Sequence, residues 1–467
     1  MGQITHASVS RLLSTVLVCC VAATVGAQDA PLDVTPRTLA GTVEIEAPNR
    51  PAGEPSVVGE AVDQQPDIAE LQRRLDLLAE EVERLRSGEE PEARLDADEA
   101  RAVGLAPSAA AAYGREQGVS LAGYGEMLYE RFAAENEAGA SSGRGAQVDF
   151  LRAILYAGYR FNDRFLFNSE IEIEHTDEIS VEFAYVDFQA HPHLGVRGGL
   201  LLIPMGLVNE FHEPTAFLGA ERPVTEKRII PSTWRENGGG VYGSFDRVAF
   251  RAYLVNGFSG WGFSSSGVRG GRQKGGRARA NNMAFTGRVD VTPTPGMFVG
   301  ASLYTGGAGQ GDVVVDGHDH DVRTTIVDLH GQVQIRGLDV RGLYARAHIA
   351  AAAELNQAQG LTGSNGIAER MQGGYVQVGY NVLSQAASAG GTAGVALTPY
   401  LRYEQVDTQD RMPAGYGRSR ATDNTFITLG VELKPIPNVV VKVDHAWVHD
   451  AADSGVDQFN LNLGYAF

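Results

Sequence analysis

Two periodicities divide the chain. In DIAELQRRLDLLAEEVERLR, residues 67–86, the apolar Ile68, Leu71, Leu75, Leu78, Val82 and Leu85 recur at steps of three and four. These are heptad a and d sites flanked by Glu and Arg, and they predict a short α-helical coiled coil over 67–88. Fewer than about three heptads are marginal for a lone helix. The pattern therefore implies self-association beside a body that is already oligomeric, with two strands against three left open; one amphipathic helix lying on another surface is the alternative. From about residue 119 the period changes to two. In DRFLFNSEIEIEH, Phe165, Phe167, Ile171 and Ile173 fall on one face, and Arg164, Asn168, Glu170, Glu172 and Glu174 on the other. A soluble sandwich would set the apolar face on a second sheet. A membrane barrel would set it against lipid and leave the charged face to water.

The connections separate these readings. About sixteen strand-like stretches run from 119–130 to 456–467, among them 163–174, 178–190, 194–203 and 239–245. An even number is what single-chain bacterial barrels require. Links after even-numbered strands are tight (161–163, HPH at 191–193, PTP at 293–295, PIP at 435–437), apart from a looser one near 383–394. Links after odd-numbered strands are mostly long: 131–145, 204–238, 259–280, 307–321, 351–370 and 407–421. Short turns alternating with long loops are the signature of periplasmic turns and external loops. The terminal QFNLNLGYAF, with Phe459, Leu461, Leu463, Tyr465 and Phe467 on one face, resembles the assembly signal of outer-membrane barrels. The expected fold is all-β, a 16-stranded antiparallel transmembrane β-barrel over 119–467.

Ahead of the barrel, Arg11 precedes the apolar run LLSTVLVCCVAATV, which ends in Val25-Gly26-Ala27. That is a secretory signal peptide over 1–27. It contains both cysteines, Cys19 and Cys20, so the exported protein has no disulfide to rely on. Residues 28–66 read as a disordered acidic linker and 89–118 as a second linker. Of the 39 basic and 57 acidic side chains, 10 and 20 lie in the first 118 residues. An acidic tail thus precedes a nearly balanced body. The net charge of -18 excludes a nucleic-acid partner, which needs a basic face. The expected location is the outer membrane of a Gram-negative-type envelope, with the N-terminal segment periplasmic. The expected partners are lipid, lipopolysaccharide and a permeant solute or ion.

One connection is far longer than the rest. LLIPMGLVNEFHEPTAFLGAERPVTEKRIIPSTWRENGGGVYGSF, residues 201–245, places some thirty residues of proline, charge and aromatics between two strands; such loops usually have a function. Ile203-Pro204-Met205-Gly206-Leu207, the internal Glu221-Arg222, Ile229-Ile230-Pro231 and a return through Gly238 resemble the phosphate-selective porin O and P family. The resemblance covers the barrel and implies a homotrimeric porin whose third loop, 204–238, folds into the lumen as a constriction. The residues agree: a barrel of this strand number is too wide to fill with its own side chains. Prolines restrict the loop backbone, and Phe211, Phe217 and Trp234 are suited to anchoring it. The constriction charges are then Glu210, Glu213, Glu221, Arg222, Lys227, Arg228 and Arg235. An external flap on a neighbouring subunit is the other reading of this loop.

Alternation places Arg152, Arg160, Arg251, Arg288, Arg346, Arg402 and Lys442 on the lumen wall, opposed by Glu170, Glu172 and Glu174 and by further acids. In the family's phosphate-specific members a lysine cluster and an arginine ladder carry anion preference. Here Lys227 is the loop's single lysine, and acidic rows line one wall. The expected function is passive diffusion of small hydrophilic solutes, anions including phosphate among them, through a pore of weak selectivity. The alternative is an envelope tether that uses its coiled coil, with the barrel as anchor. The glycine-rich GVRGGRQKGGRARANN (267–282) reads as a solvated basic loop. DGHDHD (316–321) has metal-capable side chains but no further ligand, so no metal site and no cofactor is expected. GxSxG, Walker-type and HExxH patterns do not occur, and no enzyme activity is expected.

Overall fold

The computed structural model describes residue 95, residues 97–384 and residues 394–467. The predicted signal peptide, acidic linker and coiled coil lie outside the described residues, as does most of the looser link near 383–394.

The alternating stretches form a closed antiparallel barrel of sixteen strands. They are β1 (Gly118–Phe132), β2 (Ala146–Arg160), β3 (Phe165–Glu174), β4 (Glu178–His191) and β5 (Leu194–Leu202). Then come β6 (Arg235–Phe245), β7 (Val248–Asn256), β8 (Met283–Thr294), β9 (Met297–Gly306), β10 (Thr324–Ile335) and β11 (Leu338–Ile349). The last are β12 (Arg370–Tyr380), β13 (Ala396–Arg411), β14 (Asp423–Ile436), β15 (Val439–Asp450) and β16 (Gln458–Ala466). Each strand pairs with its sequence neighbours, and β1 closes on β16 with Tyr124 opposite Ala466 and Phe132 opposite Gln458. Closure leaves no free edge.

The two faces of each strand have opposite chemistry. Val119, Leu121, Ile171, Ile173, Leu329, Leu401, Leu461 and Leu463 stand exposed on the outside, with Tyr159, Phe161, Phe165, Phe245, Tyr465 and Phe467 near the short-turn end. An apolar band with aromatic girdles is the surface that faces lipid in transmembrane barrels. The inside carries Arg152, Glu170, Glu172, Asp187, Arg197, Arg251, Arg288, Asp290, Arg402, Glu404, Lys442 and Asp444, all buried.

Three details differ from the sequence reading. The loop after β5 ends at Trp234, because β6 resumes at Arg235 rather than at 239, so Arg235 is a wall residue. The run RENGGG is poor in β-formers, yet Leu202 to Leu200 pair with Arg235 to Asn237 and extend the ladder. Arg346 faces outward: β11 turns Arg341, Leu343, Ala345 and Ala347 inward, and Arg346 shares the outer face with Tyr344 near the loop-side rim. In β4 a bulge lifts Glu182 out of register between Ile171–Val181 and Glu170–Phe183, so Glu182 and Phe183 both point inward. An extra residue of this kind re-aims one side chain while the strand continues.

Candidate functional site

The long loop lies inside the barrel. Asn209 closes its neck: its Nδ2 donates to the carbonyls of Ile203 (2.7 Å) and Trp234 (3.0 Å), and its Oδ1 accepts from Trp234 N–H (2.7 Å). Just inside this neck, Leu207 and Val208 donate their N–H groups to Glu226 at 2.8 Å each, and the Tyr375 hydroxyl donates to the same carboxylate at 2.6 Å. Gly206 makes this cradle possible. Its φ of 71° is left-handed, and a Cβ would run into the Glu226 carboxylate. We expect Gly206→Ala to cost about 1–2 kcal/mol in backbone conformation alone and to displace Glu226 as well. Limited proteolysis should then cut within 204–234, where the wild-type loop resists.

From the neck the loop crosses the lumen, clamped on both sides. On the near wall Glu210 meets Arg251 at 3.0 Å and Arg288 at 3.5 Å. The same arginines hold Asp290 at 3.0 and 2.7 Å, and His330 bridges Asp290 to Asp328. On the far wall charged side chains grip the loop backbone. Lys442 donates to the carbonyls of Phe217 (2.8 Å) and Gly219 (3.0 Å), Lys434 to Thr215 (2.8 Å) and Arg402 to Glu221 (3.1 Å). Asp444 accepts from Ala220 N–H (2.7 Å), and Glu404 from the N–H groups of Val224 (2.9 Å) and Thr225 (2.5 Å) at the head of the single-turn helix α2, Thr225–Arg228. Satisfying these backbone groups lets so long a segment run through the interior.

The expected lining residues therefore divide by role. Glu210, Arg251, Arg288 and Lys442 anchor the loop. Arg152 bridges Glu126 (3.0 Å), Glu172 (3.2 Å) and Glu174 (3.7 Å). Arg235 bridges Glu182 at 2.9 Å, and Glu170 meets His212 of the loop at 3.1 Å. The acidic rows of β3 and β4 are thus covered by the loop and partly bridged by Arg152, Arg235 and His212 rather than open to a channel. The arginines of the basic loop join the anchoring: Arg272 donates to the carbonyls of Ser232 (3.0 Å) and Thr233 (2.9 Å), and Arg269 to Ser232.

A second segment enters the lumen that sequence reasoning missed. The chain before β1, read as linker, forms helix α1 (Ala97–Ala102) and a 3-10 turn (Ala111–Gly114) packed between the inward loop and the wall. The Arg101 guanidinium lies over Phe298 (4.0 Å) and Phe211 (5.3 Å). Wall side chains take its carbonyls: Arg251 that of Arg101 (3.0 Å), Asn168 that of Ala109 (2.8 Å) and Arg160 that of Tyr113 (3.0 Å). Ala109 N–H donates to Glu213 at 3.1 Å, and Arg197 donates to the Tyr113 hydroxyl at 2.8 Å. The signal was a small apolar run, Ala109–Ala112, between Leu105 and Tyr113 in an otherwise charged stretch.

On the far side of the loop a cavity of about 540 Å³ remains. Its charged lining is balanced: Arg144, Arg222, Lys227, Arg228 and Arg402 against Glu130, Glu221, Glu404, Asp444 and Asp450. Glu221 and Lys227 pair with each other, while one guanidinium nitrogen of the buried Arg222 has no hydrogen-bond partner.

No protein-family model matches the sequence. Among solved structures, OmpF of Salmonella typhi, in complex with daunomycin, superposes with a TM-score of 0.50 at 13% identity, over 75% of this chain and 98% of that one. The anion-selective porin from Comamonas acidovorans gives 0.46 at 13% identity, over 75% and 100%. The likeness to OmpF is one of fold. An uncharacterised protein of Aquifex aeolicus (strain VF5) is 37% identical over 359 residues, which span 73% of this chain and 78% of that protein. At that identity and coverage, the chain belongs to the same family as the Aquifex aeolicus protein.

Proposed function

We propose that the chain is a passive outer-membrane channel for small hydrophilic solutes, anions such as phosphate among them, with the inward loop as its constriction. One observation carries the reading: a barrel apolar outside and charged inside holds, beside its inward loop, a cavity whose five basic and five acidic side chains face one space. Charges in a narrow, low-dielectric passage act strongly on ions, so their balance decides selectivity. A balanced lining favours neither sign. The Pro-x-Gly-Leu start, the internal Glu221-Arg222 and the return through Gly238 support a place near the phosphate-selective porin O and P family. The scarcity of lysine in the loop argues for weak selectivity within that group. The family resemblance supports a homotrimer, and the heptads at 67–88 support self-association without fixing two strands against three.

The purified full chain in a planar bilayer should give stable single-channel steps, and a reversal potential near zero in a KCl gradient. Absence of steps would overturn the channel, and a strongly anionic reversal potential would overturn the balanced pore. Arg222→Glu should move the reversal potential toward cation preference, because it reverses a buried cavity charge.

A further inference from the structure

We propose that Glu170, Glu182 and His212 bind a divalent cation of the zinc class, which pins the inward loop to the wall of β3 and β4. Their ligand atoms lie within 4.8 Å of one another and all three side chains are buried. His212 Nδ1 is 2.9 Å from the Asn209 carbonyl, which can only accept, so Nδ1 carries the proton. In the neutral ring the Nε2 lone pair then points at two carboxylate oxygens, Glu170 Oε1 at 3.1 Å and Glu182 Oε2 at 3.3 Å. A backbone carbonyl that fixes the tautomer from the far side is the usual support of a metal-bound histidine. Zinc bonds of about 2.0–2.2 Å at tetrahedral angles put ligand atoms roughly 3.3–3.6 Å apart, close to the 3.1 and 3.3 Å that separate Nε2 from the two carboxylates.

The charges point the same way. Among the described residues Glu170 has no arginine or lysine within ion-pair distance, and its Oε2 has no hydrogen-bond partner. Glu182 spends Oε1 on Arg235 and turns Oε2 to the histidine. This wall carries the buried Glu126, Glu170, Glu172 and Glu182 beside the half-buried Glu174, and among the described residues Arg152, Arg235 and His212 bridge to them. Buried carboxylates in excess over arginine are offset by a bound cation or by protons. Tyr124 adds a second buried polar group nearby: its hydroxyl has no hydrogen-bond partner, and its ring lies 6.1 Å from that of His212. The β4 bulge turns Phe183 inward beside Glu182, so both side chains sit opposite Glu170. By contrast, His318 of DGHDHD is exposed and His320 half-buried, and no third ligand converges on them among the described residues.

The competing occupant of the same space is a proton on Nε2. The full chain in mild detergent, stripped with EDTA and titrated with zinc chloride, separates the two. Wild type should take up one equivalent of zinc more than His212→Gln or Glu170→Gln, whereas His318→Gln/His320→Gln should keep that equivalent. X-ray absorption should show a nitrogen and oxygen shell at about 2.0–2.2 Å. Equal zinc uptake by wild type and a folded His212→Gln would overturn the site. So would nitrogen NMR showing both His212 ring nitrogens protonated with zinc present. If the variants do not fold, the stripped wild type decides alone: failure to regain the equivalent sinks the proposal.

Discussion

Removing residues 95–114 should raise single-channel conductance at least about twofold, because current through a pore follows its open cross-section. Removing residues 28–94 should leave conductance unchanged. The shorter deletion empties the space between the inward loop and the β2–β7 wall, where Leu105, Ala109, Ala110 and Ala112 are buried. It also releases Arg160, Asn168 and Arg251 from the carbonyls they hold. A second aqueous route then opens beside the existing cavity. The larger deletion touches none of these contacts and discriminates a channel from a tether: envelope attachment lost with conductance intact would favour the tether. Unchanged conductance after removal of 95–114 would show that the segment lies off the conducting path.

Glu210→Ala should be the most damaging single substitution. Glu210 is 3% exposed and balances Arg251 and Arg288, two buried arginines that otherwise share Asp290. Removing one partner of a buried network leaves uncompensated charge, at a cost of about 3–5 kcal/mol. The near-wall clamp then fails while the barrel, held by its strand ladders, persists. Urea unfolding followed by Trp234 fluorescence should report the loss, and conductance should become noisy as the loop moves. The double variant Glu210→Ala/Arg251→Ala should recover part of the stability. Equal losses in the single and double variants would show that the arginine was not the charge at stake.

Much of the barrel was legible because lipid outside and water inside force strict alternation. Glu170 and Glu172 pointed inward as their spacing required, and turn chemistry marked the short links. Arg346 was misplaced because period two gives faces but not their origin: one residue of phase turns every side chain over. The charges of the inward loop were found and their roles were not. Glu210 and Arg251 read as lining residues, yet they pair at 3.0 Å, a contact between positions 41 residues apart. Local spacing carries no information about such partners. Residues 97–114 were missed for the opposite reason. Their alanines have little hydrophobic signal, and they are buried because they are small enough to fit beside Gly158 and the loop.

The segment inside the mouth also constrains the order of folding. It directly precedes β1, and β1 is one side of the seam that joins residues near 124 to residues near 466. Pairing across so much chain carries the largest loop-closure entropy in the molecule and belongs late in assembly. The contacts of residues 97–114 with β2 to β7 and β9 involve chain already present in a half-built, open sheet. The segment can therefore dock on that sheet before the seam shuts, and the barrel closes around its own N-terminal filler.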